Sequence, residues 1–202
     1  MIRYVALLLA ALLSFTAAAA QVTASSPSHD VQVALDTSAG RIIIVAVHVA
    51  MAPITARNFL RYVDQKRLDG TTFYRAVGTV DYGFVQGGTQ NDPARTLPPI
   101  AHESTTQTGL THDEGALSMA RYAPGSAAGD FFVVLGEMPS MDAQTASPGD
   151  NQGFAVFAHV VEGMDVVRAI LSTPKSPTAG EGVMKGQMLQ HPIRITTARR
   201  LP

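Results

Sequence analysis

Residues 72–88 read TFYRAVGTVDYGFVQGG, and they constrain the chain more tightly than any other stretch. The first half alternates as a strand does, with Phe73 and Arg75 on one face and Tyr74 and Ala76 on the other. A polar break at 78–81 separates it from a second extended run, Phe84-Val85-Gln86, which closes on Gly87-Gly88. The pattern is two strands with an arginine on their apolar side. Burying a guanidinium without partners is costly, so Arg75 needs either a structural carboxylate or a ligand. The returning strand offers Gln86, whose amide can bond that arginine or a ligand's backbone.

Strands dominate the rest of the chain. Val31, Val33 and Leu35 alternate with Gln32 and Ala34, and after a turn at 37–40 residues 41–49 form a nearly continuous Ile/Val run. From Met51 the period changes. Pro53 suits a first helical turn, and Phe59, Tyr62 and Val63 form an apolar stripe that ends before Gly70. Further strands are predicted at 116–120, 131–135, 154–160 and 192–198, with a second helix at 163–172. Residues 100–108 are polar and lack a clear period, while 137–153 and 173–188 read as long connections rich in turn formers. About eight strands and two helices make a closed antiparallel barrel the economical reading, but the pattern alone leaves a sandwich equally open.

With 17 glycines, 12 prolines and only 15% charged residues, the composition suits a turn-rich β protein. A net charge of −1 gives no sign of the basic face that nucleic-acid binding requires. Met1-Ile2-Arg3 precedes an apolar run over 4–20 that ends Ala18-Ala19-Ala20, the pattern of a secretory signal peptide. An uncleaved membrane anchor is the alternative; the run is short for a span and ends in small residues rather than a charged stop. The expected organisation is a signal peptide at 1–20, a mobile lead-in at 21–30 and one folded domain at 31–202, with no membrane attachment after cleavage. Cysteine is absent, so the chain carries no disulfide and no thiol for an oxidising compartment to attack. The expected address is outside the cytoplasm, the periplasm if the host is bacterial. No long apolar surface run is evident, and a monomer is expected.

Two further features stand in register with the opening stretch. Phe73-Tyr74-Arg75 and Phe84-Val85-Gln86-Gly87-Gly88 are followed by Ala116-Leu117-Ser118-Met119-Ala120 and then by Asp130-Phe131-Phe132-Val133. In order and spacing these runs resemble the active-site segments of cyclophilins, the peptidyl-prolyl cis-trans isomerases, in particular their bacterial exported members. The resemblance extends from about residue 31 to the C-terminus. It implies an eight-stranded antiparallel closed barrel capped by two α-helices, which decides between barrel and sandwich. It also implies an enzyme without metal or cofactor, whose partners are proline-containing polypeptides, unfolded or partly folded.

The bond before proline interconverts over tens of seconds or longer unaided. Speeding it needs no nucleophile and no proton transfer. A cation donating toward the prolyl nitrogen draws its lone pair out of amide resonance, and an apolar pocket that excludes water strengthens each such bond. The resemblance implies Arg75 as that catalytic cation, held with the client backbone by Gln86. It implies a client-binding surface of Phe73, Phe84, Met119, Ala120, Arg121, Asp130, Phe132, Met141 and Phe154. Phe132 and Met119 would form the floor of the proline pocket, and backbone groups near Arg121 would pair with residues before the proline. Read without the resemblance, Phe132 and Met119 are ordinary core residues and Gln86 satisfies a strand end.

This chain departs from the family pattern at four positions. Asp130 stands where most cyclophilins have glutamine, and its carboxylate could tether Arg75 or neutralise it. Gly83 replaces a pocket aromatic, for which Tyr82 or Phe84 could substitute. Ser140 falls near the position of a tryptophan found in many eukaryotic members, which implies weak cyclosporin binding. Phe154 aligns with a pocket histidine. If Asp130 locked Arg75, the scaffold would serve as a non-catalytic peptide-binding or chaperone module, the rival reading. Other constellations carry less. His102-Glu103 and His112-Asp113-Glu114 lack metal-ligand spacing, so the six histidines read as incidental surface residues, and Arg199-Arg200 reads as a solvated tail.

Overall fold

The computed structural model describes residues 30–144, 146 and 149–202. The predicted signal peptide and all of the lead-in except Asp30 lie outside these residues. Eight strands form the molecule: β1 Val31–Thr37, β2 Ile42–Val47, β3 Thr72–Thr79, β4 Tyr82–Gly88, β5 Ala116–Met119, β6 Asp130–Leu135, β7 Ala155–Glu162 and β8 Met188–Arg200. They close into an antiparallel barrel in the order β1-β2-β7-β5-β6-β4-β3-β8, with β8 pairing back onto β1. Alternation sends one side chain in two to the interior. On β6, Phe131, Val133 and Leu135 point inward. Met119 and Leu117 on β5 stand opposite Phe131 and Val133 and join them in the core.

Two helices close the barrel ends, α1 Pro53–Asp64 and α3 Met164–Leu171. On α1, Phe59 reaches into the core against Phe131 at 5.6 Å and Phe157 at 5.0 Å. The N-terminus of α1 is satisfied from outside: the Glu103 carboxylate accepts the backbone N–H groups of Ile54 and Thr55 at 3.1 and 2.7 Å. A third helix, α2 Thr105–Thr108, lies in the stretch expected to be irregular. It is one turn held by a capping box in which Gln107 reaches back to the Ser104 backbone at 2.8 Å. One turn is too short for helical periodicity to show.

The hairpin of β3 and β4 turns on Val80-Asp81, so the strands run further than the polar break suggested. Gly78 and Gly83 face each other across it, at φ +119° and +143°. A Cβ on either glycine would lie 2.0 Å from a carbonyl oxygen of the other strand. Only glycine fits at this close approach. The last strand is also longer than predicted, running to Arg200. Arg199-Arg200 is therefore not a free tail. Arg200 meets Asp64 of α1 through two bonds of 2.8 and 2.7 Å, and Arg199 pairs with Asp36 at 3.5 Å.

Candidate active site

The β3–β4 ladder contains a bulge. Its register passes from Phe73 opposite Gly87 to Arg75 opposite Gln86, which leaves Tyr74 as an extra residue. Phe73 therefore sits inside the barrel, edge-on to Phe131 at 6.0 Å, while Tyr74 and Arg75 both turn to a groove on the outer face. The shared face expected for Phe73 and Arg75 does not exist. Phe73 is core, and Tyr74 joins the site in its place.

Arg75 is held by neutral oxygens. Gln86 Oε1 accepts from its Nη1 at 2.8 Å, and Gln187 Oε1 accepts from its Nε and Nη2 at 2.8 and 2.6 Å. The other end of Gln86 donates to the Tyr74 hydroxyl at 2.6 Å. The guanidinium lies over the Phe84 ring, 5.2 Å from its centre. Burial pulls the Arg75 pKa below its ordinary value and pushes that of the Tyr74 phenol up. Three of the five guanidinium N–H groups are engaged, which leaves two for a ligand.

Beside Arg75 the groove becomes an apolar pocket. Phe132 forms its floor, with Phe84 at 5.4 Å and Phe154 set edge-on at 5.3 Å, and Met141 adds to the wall. The groove encloses about 380 Å³, within the range of small-ligand sites. Of the two aromatics beside Gly83, Phe84 lines the groove, while Tyr82 is half exposed and lies outside it. Arg121 donates to the Gly153 carbonyl at 2.7 Å and to the Asp150 carboxylate at 2.8 and 2.9 Å, with its guanidinium over Phe154. The arginine holds Asp150 down to a pKa of about 2.

Met119 does not line the pocket. Phe132 stands opposite Ser118, and a one-residue step along a strand reverses the face, so Met119 lies in the barrel core at 2% exposure. Beneath Phe132 instead lies His112, its ring parallel to the phenyl within 13° at 6.0 Å. His112 is buried, not an incidental surface residue. Its Nδ1 bonds Asp142 at 2.6 Å and its Nε2 bonds the Ser118 hydroxyl at 3.0 Å. Burial lowers its pKa, against the opposing pull of Asp142. In the neutral form that burial favours, a proton on Nδ1 faces Asp142 and Nε2 accepts from the Ser118 hydroxyl.

Asp130 lines the groove too, but its carboxylate does not engage Arg75. Its Oδ1 accepts the Gln90 backbone N–H at 2.8 Å, and burial raises its pKa while hydrogen bonds from the Gln90 and Asn91 backbone oppose the rise. Gln86, Ala120, Arg121, Asp130, Phe132, Met141, Phe154, Phe84 and Arg75 therefore converge on one groove, and Phe73 and Met119 stand behind it. Tyr74, Gln187, Met184 and Met188 are additions that the sequence reading missed. Gln187 lies 112 residues from Arg75 in a stretch read as loop, and no local pattern marks it. Among the described residues no group of three or more His, Asp or Glu side chains is arranged to hold a metal ion.

The comparisons with known proteins agree with this geometry. The family described as cyclophilin type peptidyl-prolyl cis-trans isomerase/CLD matches residues 31–200. The chain is 37% identical over 172 residues to the peptidyl-prolyl cis-trans isomerase cyp18 of Streptomyces antibioticus, covering 84% of this chain and 98% of the relative. It is 33% identical over 171 residues to a peptidyl-prolyl cis-trans isomerase of Acinetobacter baylyi, covering 83% and 84% of the two chains. In fold it resembles the crystal structure of a cyclophilin-type isomerase of Cryptosporidium parvum, with a TM-score of 0.66 at 17% identity, covering 86% of this chain and 99% of that one. The chain belongs to the cyclophilin-type peptidyl-prolyl cis-trans isomerase family.

Proposed function

We propose that the groove receives an extended proline-containing segment of an unfolded or partly folded polypeptide, and that Arg75 accelerates rotation about its Xaa–Pro bond. Membership of the family makes the chain a peptidyl-prolyl cis-trans isomerase. The observation that carries the mechanism is the state of Arg75: a cation held by two amide oxygens, with two N–H groups left beside an apolar pocket. The proline ring rests on Phe132 between Phe84, Met141 and Phe154. A free N–H of Arg75 donates to the prolyl nitrogen as it becomes pyramidal, which stabilises the twisted amide more than the planar one. Neutral amides orient the guanidinium without cancelling its charge, as a carboxylate would.

The rival, a binding module with Arg75 locked by Asp130, draws no support from an arginine whose partners are Gln86 and Gln187. The exported location belongs to the same proposal, supported by the signal-peptide pattern of residues 1–20 and the absence of cysteine. A monomer acting on clients outside the cytoplasm, in the periplasm of a bacterial host, is the resulting reading.

The test is titration of isotope-labelled protein with a short Xaa–Pro peptide, followed through backbone amide resonances. Shifts concentrated at Gln86, Ala120 and Phe132 support binding in the groove. Shifts elsewhere, with these three unmoved, would remove the groove from the mechanism.

A further inference from the structure

We propose that the groove prefers clients with a lysine or arginine two or three residues from the proline, and that Asp130 is the anion that receives it. This rests on the isomerase reading above and adds a substrate class to it.

The charges lining the groove are unequal in their partners. Arg121 is occupied by Asp150 and the Gly153 carbonyl, and Arg75 by two glutamine side chains. Asp130 is the carboxylate of the groove lining, 9% exposed, and among the described residues it forms no ion pair. Backbone N–H groups of Gln90 and Asn91 are its partners. A buried carboxylate without a cation carries a desolvation cost that hydrogen bonds offset only in part; the upward shift of its pKa, caused first by burial, has the same origin. A client ammonium or guanidinium seated beside Asp130 recovers part of that cost.

The position follows from the strand. Asp130 and Phe132 project from the same face of β6, two residues and roughly 6.6–6.8 Å apart. An extended client advances about 3.3 Å per residue, so a side chain near Asp130 belongs to a residue about two from the proline seated on Phe132. The flexible stem of lysine or arginine extends that reach by one residue more. Space is available there. Beyond Phe132 the groove lining also holds the small residues Ser126, Ala128 and Gly129, next to Asp130 in sequence, together with Gln90, Asn91, Tyr74 and Tyr122. The small residues make room for a long flexible side chain, and the polar groups and tyrosine rings of the lining suit a cationic head better than a wholly apolar one. A client glutamate at the same place would meet a like charge in a poorly solvated site.

The experiment measures kcat/KM by NMR exchange on single-proline peptides in which each of the three positions on either side carries Lys, Ala or Glu in turn. Wild type and Asp130→Asn are compared at low and high salt. Asparagine keeps one acceptor oxygen for the Gln90 and Asn91 amides and removes the charge, with an NH2 group in place of the other oxygen. At one position the lysine peptide is expected to exceed its glutamate counterpart by roughly tenfold, chiefly through KM. That ratio shrinks with salt in the wild type, a readout that needs no variant, and falls toward one in Asp130→Asn. Equal rates for Lys and Glu at every position, in wild type active on the alanine peptides, would overturn the preference and leave the isomerase reading standing. So would a preference that survives Asp130→Asn. Acceleration of none of the peptides would overturn both.

Discussion

Gln187 Oε1 receives both the Nε–H and an Nη2–H of Arg75, at 2.8 and 2.6 Å. One neutral oxygen from the residue just before β8 thus fixes one edge of the guanidinium plane, while Gln86 from β4 fixes the other. Arg75 is thus oriented by parts of the chain on both sides of β3, its own strand.

That arrangement predicts the effect of Gln187→Ala. Losing the shared acceptor leaves one edge of the guanidinium unheld and free to rotate away from its set orientation, and kcat/KM should fall roughly tenfold, equivalent to about 1.4 kcal/mol. Exchange rates on a short Xaa–Pro peptide measure it, with thermal unfolding as the check that the barrel is intact. An unchanged rate would mean that Gln86 alone suffices.

The Gly78–Gly83 crossing predicts a structural sensitivity close to the site. In Gly83→Ala the new Cβ would lie 2.0 Å from the Val77 carbonyl oxygen, on backbone at φ +143°. The hairpin must open, at a cost of about 2 kcal/mol or more. For a domain of this size the melting temperature should drop by about 5 °C or more. A melt that matches wild type would show that the two strands can part freely.

His112 predicts a pH dependence of stability. Its folded pKa lies below the unfolded value of about 6.5. In the window below that value the unfolded chain binds the proton first, so stability falls as pH drops. Denaturant unfolding at pH 7.5 and 5.5 should show this fall in wild type. The fall should be smaller in His112→Gln, which itself costs about 2 kcal/mol because Asp142 and Ser118 lose their partner. Equal pH dependence in the two proteins would contradict the buried neutral imidazole.

Asp130 predicts the opposite sign. Its folded pKa lies above the unfolded value of about 3.9. As pH rises between the two, the folded state loses a proton that the unfolded state has already released, and stability falls. At neutral pH Asp130→Asn should therefore be more stable than wild type, and the difference should shrink toward pH 4. Urea midpoints at the two pH values decide it. A variant less stable than wild type at neutral pH would mean that the carboxylate's hydrogen bonds outweigh its burial.

Much of this was legible in the sequence because it depends on short-range pattern. Period-two alternation located β1 within two residues, short runs rich in apolar residues located β6 and β7 as closely, and the juxtaposition of Arg75 with Gln86 follows from a hairpin. The errors have local physical causes. A bulge inserts one residue with no compositional mark, so Tyr74 and Phe73 exchanged faces. Met119 was placed at the pocket because an apolar strand residue carries no label for its side, and the pairing of Ser118 with Phe132 sets it inward. His112 looked like a surface residue because its partners Ser118 and Asp142 meet it only after the chain folds. The α2 helix was missed although its S-x-x-Q signal, Ser104 to Gln107, is present in the sequence.

The most direct test of the account is exchange spectroscopy on a short Xaa–Pro peptide with wild type and Arg75→Ala side by side, each shown to bind the peptide. The account predicts accelerated cis–trans exchange by wild type, lost by about two orders of magnitude or more in Arg75→Ala while binding persists. Acceleration that is undiminished in Arg75→Ala would contradict the central role of Arg75, and no acceleration by folded, peptide-bound wild type would contradict catalysis itself.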